Sequence, residues 1–163
     1  MFAAPEFRTL VADPSAHMAE LVALMLHSLK IRAVDETADR PLTERALRQR
    51  SYELVLIDAD LGAQDDFGLI RNLRKSTEHP NRHVPIIMMA SAPSVALIVA
   101  ARDAGVTEFL RKPFSAQHIR LRLDAIHNTP REFVAAESYA GPDRRRRSVS
   151  VAKPRRASDK ASA

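Results

Sequence analysis

The stretch "AGVTEFLRKPF", Ala104–Phe114, decides the fold. Gly105 closes a helix, because a residue without Cβ takes the left-handed conformation that ends one. "VTEFL" then reads as a short strand, and "KPF" turns the chain into a last helix over about Ser115–His127. Upstream, "YELVLID" (Tyr52–Asp58) is a nearly continuous apolar run ending in an acid, the pattern of a parallel strand buried on both faces. "VPIIMM" (Val84–Met89) is another buried strand, and Pro93 starts the helix that reaches Ala104.

The N-terminal half repeats the theme. "FRTLVA" (Phe7–Ala12) reads as a strand, and Asp13-Pro14 as an N-cap followed by proline at the first helical position. Met18, Leu21, Val22, Met25, Leu26 and Leu29 recur at helical spacing. "IRAV" is a second strand, Pro41 opens a helix to about Arg50, and "ADLGAQDD" is a loop before a helix over Phe67–Lys75. Five strands alternating with five helices imply an α/β, doubly wound parallel sheet with helices on both faces.

In such a sheet the working residues stand outside the carboxyl ends of the strands. Asp13 follows strand one, Asp58 ends strand three and Lys112 follows strand five. Converging carboxylates suit a hard cation such as Mg2+. Alternatively, one carboxylate accepts a phosphoryl group while the lysine stabilises the charge that develops. His79 and His83 make no zinc site, since Pro80 breaks a helix between them. Asp65-Asp66 reads as an acidic helix start facing the dipole. No nucleophile–His–acid pattern, glycine-rich phosphate loop or internal repeat is present, so the expectation is a regulator and not an enzyme.

"LVADPSAHM", "YELVLIDADL", "VPIIMMAS" and "DAGVTEFLRKPF" together resemble the CheY-like receiver domains of bacterial response regulators, over about Phe7–His127. The resemblance implies a flavodoxin-like receiver fold, with Asp58 as phospho-acceptor, Lys112 as its lysine, Pro113 as a cis proline and Phe109 as the switch aromatic. It also implies a histidine kinase as phosphodonor. Two features depart from the pattern. Receivers carry two adjacent acids after strand one, whereas here Pro14 follows Asp13 and offers no side-chain oxygen to Mg2+. The hydroxyl position after strand four is Ala90, with Ser91 one place later, where alternation along a strand turns it away. A receiver-site remnant of Asp13, Asp58 and Lys112 favours the fold as scaffold over a working phosphoryl switch.

Residues 1–129 therefore read as the receiver, and 130–163 as a mostly irregular, arginine-rich ligand-binding tail. The net charge of +5 belongs to that tail: from Arg131 onward there are nine Lys/Arg and four Asp/Glu, leaving sixteen of each before it. Such asymmetry points to an anionic partner. The excess is mostly arginine, which makes bidentate contacts and stacks on bases where lysine does not. Arg156-Ala157-Ser158-Asp159 is an R-x-x-D pattern, in which arginine pairs with guanine O6 and N7 while the carboxylate accepts from another edge. "SVSV" alternates small polar and β-branched residues, as a strand formed on binding does. Nonspecific phosphate binding is the plainer reading of an arginine run.

A receiver with no attached output domain, followed by "REFV…SYAGPDRRRR", is similar to the CheY-like cyclic-di-GMP effectors (Cle proteins). That resemblance implies cyclic di-GMP as ligand, held by Arg144, Arg145, Arg146, Arg147, Arg155, Arg156 and Asp159, with Ser148 and Tyr139 as further contacts. It implies a flagellar motor switch component as partner, with no specific nucleic acid, and effects on motility and surface attachment. The N-terminus has no secretion signal and no run is long enough to span a bilayer, so the expected place is the cytoplasm, with recruitment to the flagellar pole.

Overall fold

Side chains alternate along each central strand, and the alternation supplies two cores, one on either face of a single sheet. The computed structural model describes residues 6–145. Its elements run β1 (Arg8–Ala12), α1 (Ala16–Ser28), β2 (Ala33–Thr37), α2 (Arg40–Gln49), β3 (Leu54–Asp58), α3 (Ala59–Gly62), α4 (Gln64–Lys75), β4 (Ile86–Ala90), α5 (Val95–Ala104), β5 (Glu108–Arg111), α6 (Ala116–Asn128), β6 (Phe133–Ala136) and β7 (Tyr139–Pro142). Strands β2-β1-β3-β4-β5 form one sheet in that order, every pair parallel. Leu10, Val55, Ile57, Ile86 and Met88 face α2, α4 and α5, where Leu47, Ile70, Leu73 and Ala101 meet them. Their neighbours Val11, Leu54, Leu56, Ile87 and Met89 face α1 and α6, against Val22, Leu26, Ile119 and Leu123. This is the flavodoxin-like receiver fold, and its strand order reverses direction between β1 and β3.

Three local expectations need correction. The N-cap of α1 is Ser15, whose hydroxyl accepts from Met18 N, and not Asp13. Asp13 instead accepts from Ser15 N at 2.8 Å, which keeps its carboxylate at the end of β1. The stretch 59–66 is not a loop. Asp58 caps the one-turn α3 by accepting from Asp60 N at 2.8 Å, and α4 begins at Gln64. The first turn of α4 is also not an ordinary helix start: Asp65, Asp66 and Phe67 have φ of 52°, 50° and 60°, left-handed values that cost non-glycine residues energy. Their acids pair with Arg40 and Arg71 at 3.6 and 3.7 Å.

Beyond α6 the chain folds back as an antiparallel hairpin of β6 and β7, an element that the sequence reading did not assign. The hairpin lies against α4 and α5. Gly105, at φ 113°, and Gly141 make this approach feasible: a Cβ on Gly105 would lie 2.8 Å from Arg74 Cγ and 3.2 Å from the Ala140 carbonyl, and one on Gly141 would lie 2.9 Å from Gly105 Cα. Arg74 is fully buried beneath this contact. Its Nε donates to Gly105 O at 3.1 Å and its Nη1 to Arg82 O at 2.6 Å. Burial pushes its guanidinium down to about 10, against a smaller upward pull from Tyr139, so it is charged at neutral pH.

Candidate functional site

The β1–β3 register sets Ala12 beside Ile57, so the next residues, Asp13 and Asp58, emerge side by side where the strand order reverses. Both are buried, at 2% and 6% exposure. Lys112 reaches them from the end of β5, its Nζ 3.0 Å from Asp13 Oδ2 and 2.5 Å from Asp58 Oδ2. The Lys112–Pro113 peptide that follows is cis. Burial is the largest single influence on Lys112 and lowers its pKa, but the hydrogen bonds and attractions of Asp58 and Asp13 together outweigh it and leave the ammonium raised. The structure thus brings together the three residues expected here, as one hydrogen-bonded ionic cluster.

Chemically, the cluster places a fixed cation beside the Asp58 carboxylate, which would favour negative charge gathering there. Its fit to Mg2+ is poor. Each of the four carboxylate oxygens already accepts a hydrogen bond, from Lys112 Nζ or from the amides of Ser15 and Asp60. The ammonium sits between the two acids, and Pro14 adds no donor. Among the described residues no group of three or more His, Cys, Asp or Glu is gathered to hold a metal ion. Ala90 is the last residue of β4, while Ser91 lies beyond it and is exposed. Phe109 is half-buried, and its carbonyl accepts from Arg122 Nε at 3.0 Å.

The first tail arginines are placed by the hairpin. Asp143 N donates to Glu132 O at 2.7 Å, extending the β6–β7 pairing past Pro142. Arg144 lies over the Tyr139 ring, 4.6 Å from its centroid, and its Nη1 is 3.3 Å from Asp103 Oδ1. Tyr139 itself is buried, donating its hydroxyl to Pro142 O at 2.5 Å, so its ring supports Arg144. Burial raises the Tyr139 pKa, outweighing the opposite pull of Arg74, Arg144 and Arg131. Arg145 is exposed, and its amide donates to Asp143 Oδ1 at 2.9 Å. Arg146, Arg147, Ser148, Arg155, Arg156 and Asp159 lie outside the described residues, as does "SVSV".

Two adjoining hollows, absent from the expectations drawn from the sequence, open beside these arginines. One, of about 310 Å³, is lined by Arg102, Phe109, Arg122, Arg131 and Arg144; the other, of about 630 Å³, by Arg122, Arg131, Glu132, Asp143 and Arg145. Glu108 lines both, and its carboxylate lies 3.1 Å from Arg131 Nη2 and 4.0 Å from Arg122 Nε. These arginines come from α5, α6, the α6–β6 link and the residues after β7, so no spacing in the chain announces them.

Comparison with known proteins agrees with this architecture. The family model described as response regulator receiver domain matches residues 9–124, stopping short of the hairpin. The Vibrio cholerae chemotaxis protein CheY-3 is 25% identical over 119 residues, covering 73% of this chain and 90% of that protein. The regulatory protein VirG of Agrobacterium fabrum is 30% identical over 122 residues, 73% of this chain but only 45% of VirG. Among solved structures, Vibrio cholerae CheY4 superposes with a TM-score of 0.65 at 18% identity, covering 74% of this chain and 98% of CheY4.

Proposed function

The chain belongs to the response regulator receiver domain family, and from that premise we propose that it is a cyclic-di-GMP effector whose arginine-rich tail, and not its carboxylate site, takes the signal. The observation that carries this reading is where the arginine run begins: Arg144 is stacked on Tyr139 and paired with Asp103, on the receiver's own surface. The run then continues into Arg146, Arg147, Arg155, Arg156 and Asp159, within the stretch from Arg131 onward that holds the whole charge excess. Guanidinium groups suit a ligand with two guanines and two phosphates, since they pair with both and stack on the bases. Several charge-assisted contacts offset the entropy of ordering the tail. The liganded unit then docks on a flagellar motor switch component at the flagellar pole and modulates motility and surface attachment; chemotaxis proteins among the relatives fit such an output. Among the described residues no helix is long and apolar enough to cross a membrane.

Calorimetry with cyclic di-GMP tests the reading. The full chain is expected to bind, and the Arg156→Ala, Asp159→Ala double variant to lose at least tenfold in affinity; equal affinities would remove the R-x-x-D assignment, and no binding by the full chain would remove the function.

A second reading, a phosphorylation-dependent regulator served by a histidine kinase, is favoured by the buried Asp58 held against Lys112. It predicts phosphate incorporation from acetyl phosphate with Mg2+ present, abolished by Asp58→Asn. The missing second acid at Pro14 argues against it.

A further inference from the structure

We propose that the two arginine-lined hollows are the receiver's half of the nucleotide site, with Arg122 and Arg131 contacting the ligand directly. This rests on the cyclic-di-GMP reading and adds to it residues far from the tail in sequence. The hollows meet at Glu108, Arg122 and Arg131, which line both. Their volumes, about 310 and 630 Å³, lie in the range of small-molecule sites. Arg102, Arg122, Arg131, Arg144 and Arg145 converge there from four separate segments. Acids accompany them: Glu108 pairs with Arg131 and Arg122, Asp103 with Arg102 and Arg144, and Asp143 and Glu132 line the larger hollow beside Arg145.

The guanidinium groups are also held in place before any ligand arrives. Arg131 is fixed by Glu108, Arg122 by the Phe109 carbonyl, and Arg144 by Tyr139 and Asp103. Pre-oriented donors lose little freedom on binding, so their contacts count more fully toward affinity. Glu108 sets a carboxylate beside these arginines. The hollow therefore holds both groups needed to read a guanine, an arginine for O6 and N7 and an acceptor for the N1–H edge. Arg144 and Arg145 line the hollows themselves, so the arginine run enters the tail directly from the site.

The test uses the full chain, with cyclic di-GMP as probe. Calorimetry compares the wild type with Arg122→Ala, Arg122→Lys and Arg131→Lys, each first checked for a native amide spectrum. Arg122→Ala is expected to weaken binding at least tenfold, Arg122→Lys less, and ligand is expected to shift the amides of Thr107–Phe109 and Arg122 as well as those of the tail. Wild-type affinity in a folded Arg122→Ala, with shifts confined to residues after Asp143, overturns the groove while leaving the tail reading intact. Absence of any binding by the wild type overturns both.

Discussion

Lys112 is the residue on which the carboxylate site depends. Asp13 and Asp58 are buried side by side, and neither could stay charged there at low cost without the ammonium between them. Lys112→Met removes the cation and leaves two like charges facing each other in a low-dielectric pocket. The expected loss is about 3 kcal/mol, measured by urea unfolding at pH 7. The pH dependence has a definite sign. The folded pKa of Lys112 is raised, so its contribution is complete below the unfolded lysine value, about 10.4, and is lost only as pH climbs through the higher folded value. The gap between wild type and Lys112→Met should therefore stay constant from pH 7 to about 10 and narrow above that. A gap that already narrows between pH 7 and 9 would show that the ammonium is not what holds the two acids.

At the level of elements, legibility followed burial. The runs forming β3 and β4 are apolar at consecutive positions because both faces of the sheet are covered, and that pattern needs no partner to be recognised. Gly105 and the Lys112-Pro113 pair could be read for the same reason: each does a local job that few residue types can do. The segment 59–67 could not. Gly62 and the acids suggested a loop, but α3 is capped by Asp58, whose role as a cap is fixed only once β3 ends there. The hairpin was equally hidden. "FVAA" and "YAGP" are short and rich in Ala, Gly and Pro, poor strand formers, and the pairing leans on contact with Arg74 and Gly105 far upstream. The left-handed start of α4 yields a prediction with a decisive sign. Asp66 is exposed at φ 50°, and its pair with Arg71, at 3.7 Å, is solvent-screened. Asp66→Gly should raise stability by about 1 kcal/mol, seen as a higher urea midpoint at unchanged slope. In an ordinary right-handed turn the same change would lower it by about 1 kcal/mol.

At the scale of the whole molecule, charge and structure are divided unequally: residues 1–130 carry as many acids as bases, and the +5 lies beyond them. A tail that bound its ligand on its own would bind equally well whether the receiver were folded or not. Such a ligand shifts no folding equilibrium, because only a difference in affinity between folded and unfolded chain does so. A ligand that contacts the Arg122–Arg131 groove is different, since the groove exists only when β5, α6 and the hairpin are in place. Its binding energy is then folding energy. At a cyclic-di-GMP concentration one hundred times Kd, the stabilisation amounts to about 2.7 kcal/mol. For a chain of this size that corresponds to a rise in Tm of about 5–10 °C. The rise should follow the logarithm of ligand concentration and should fall away in Arg122→Ala. Calorimetric binding by the wild type with no movement of Tm at saturating ligand would mean that the tail acts alone, and the receiver would then be a carrier for the ligand segment and no part of its site.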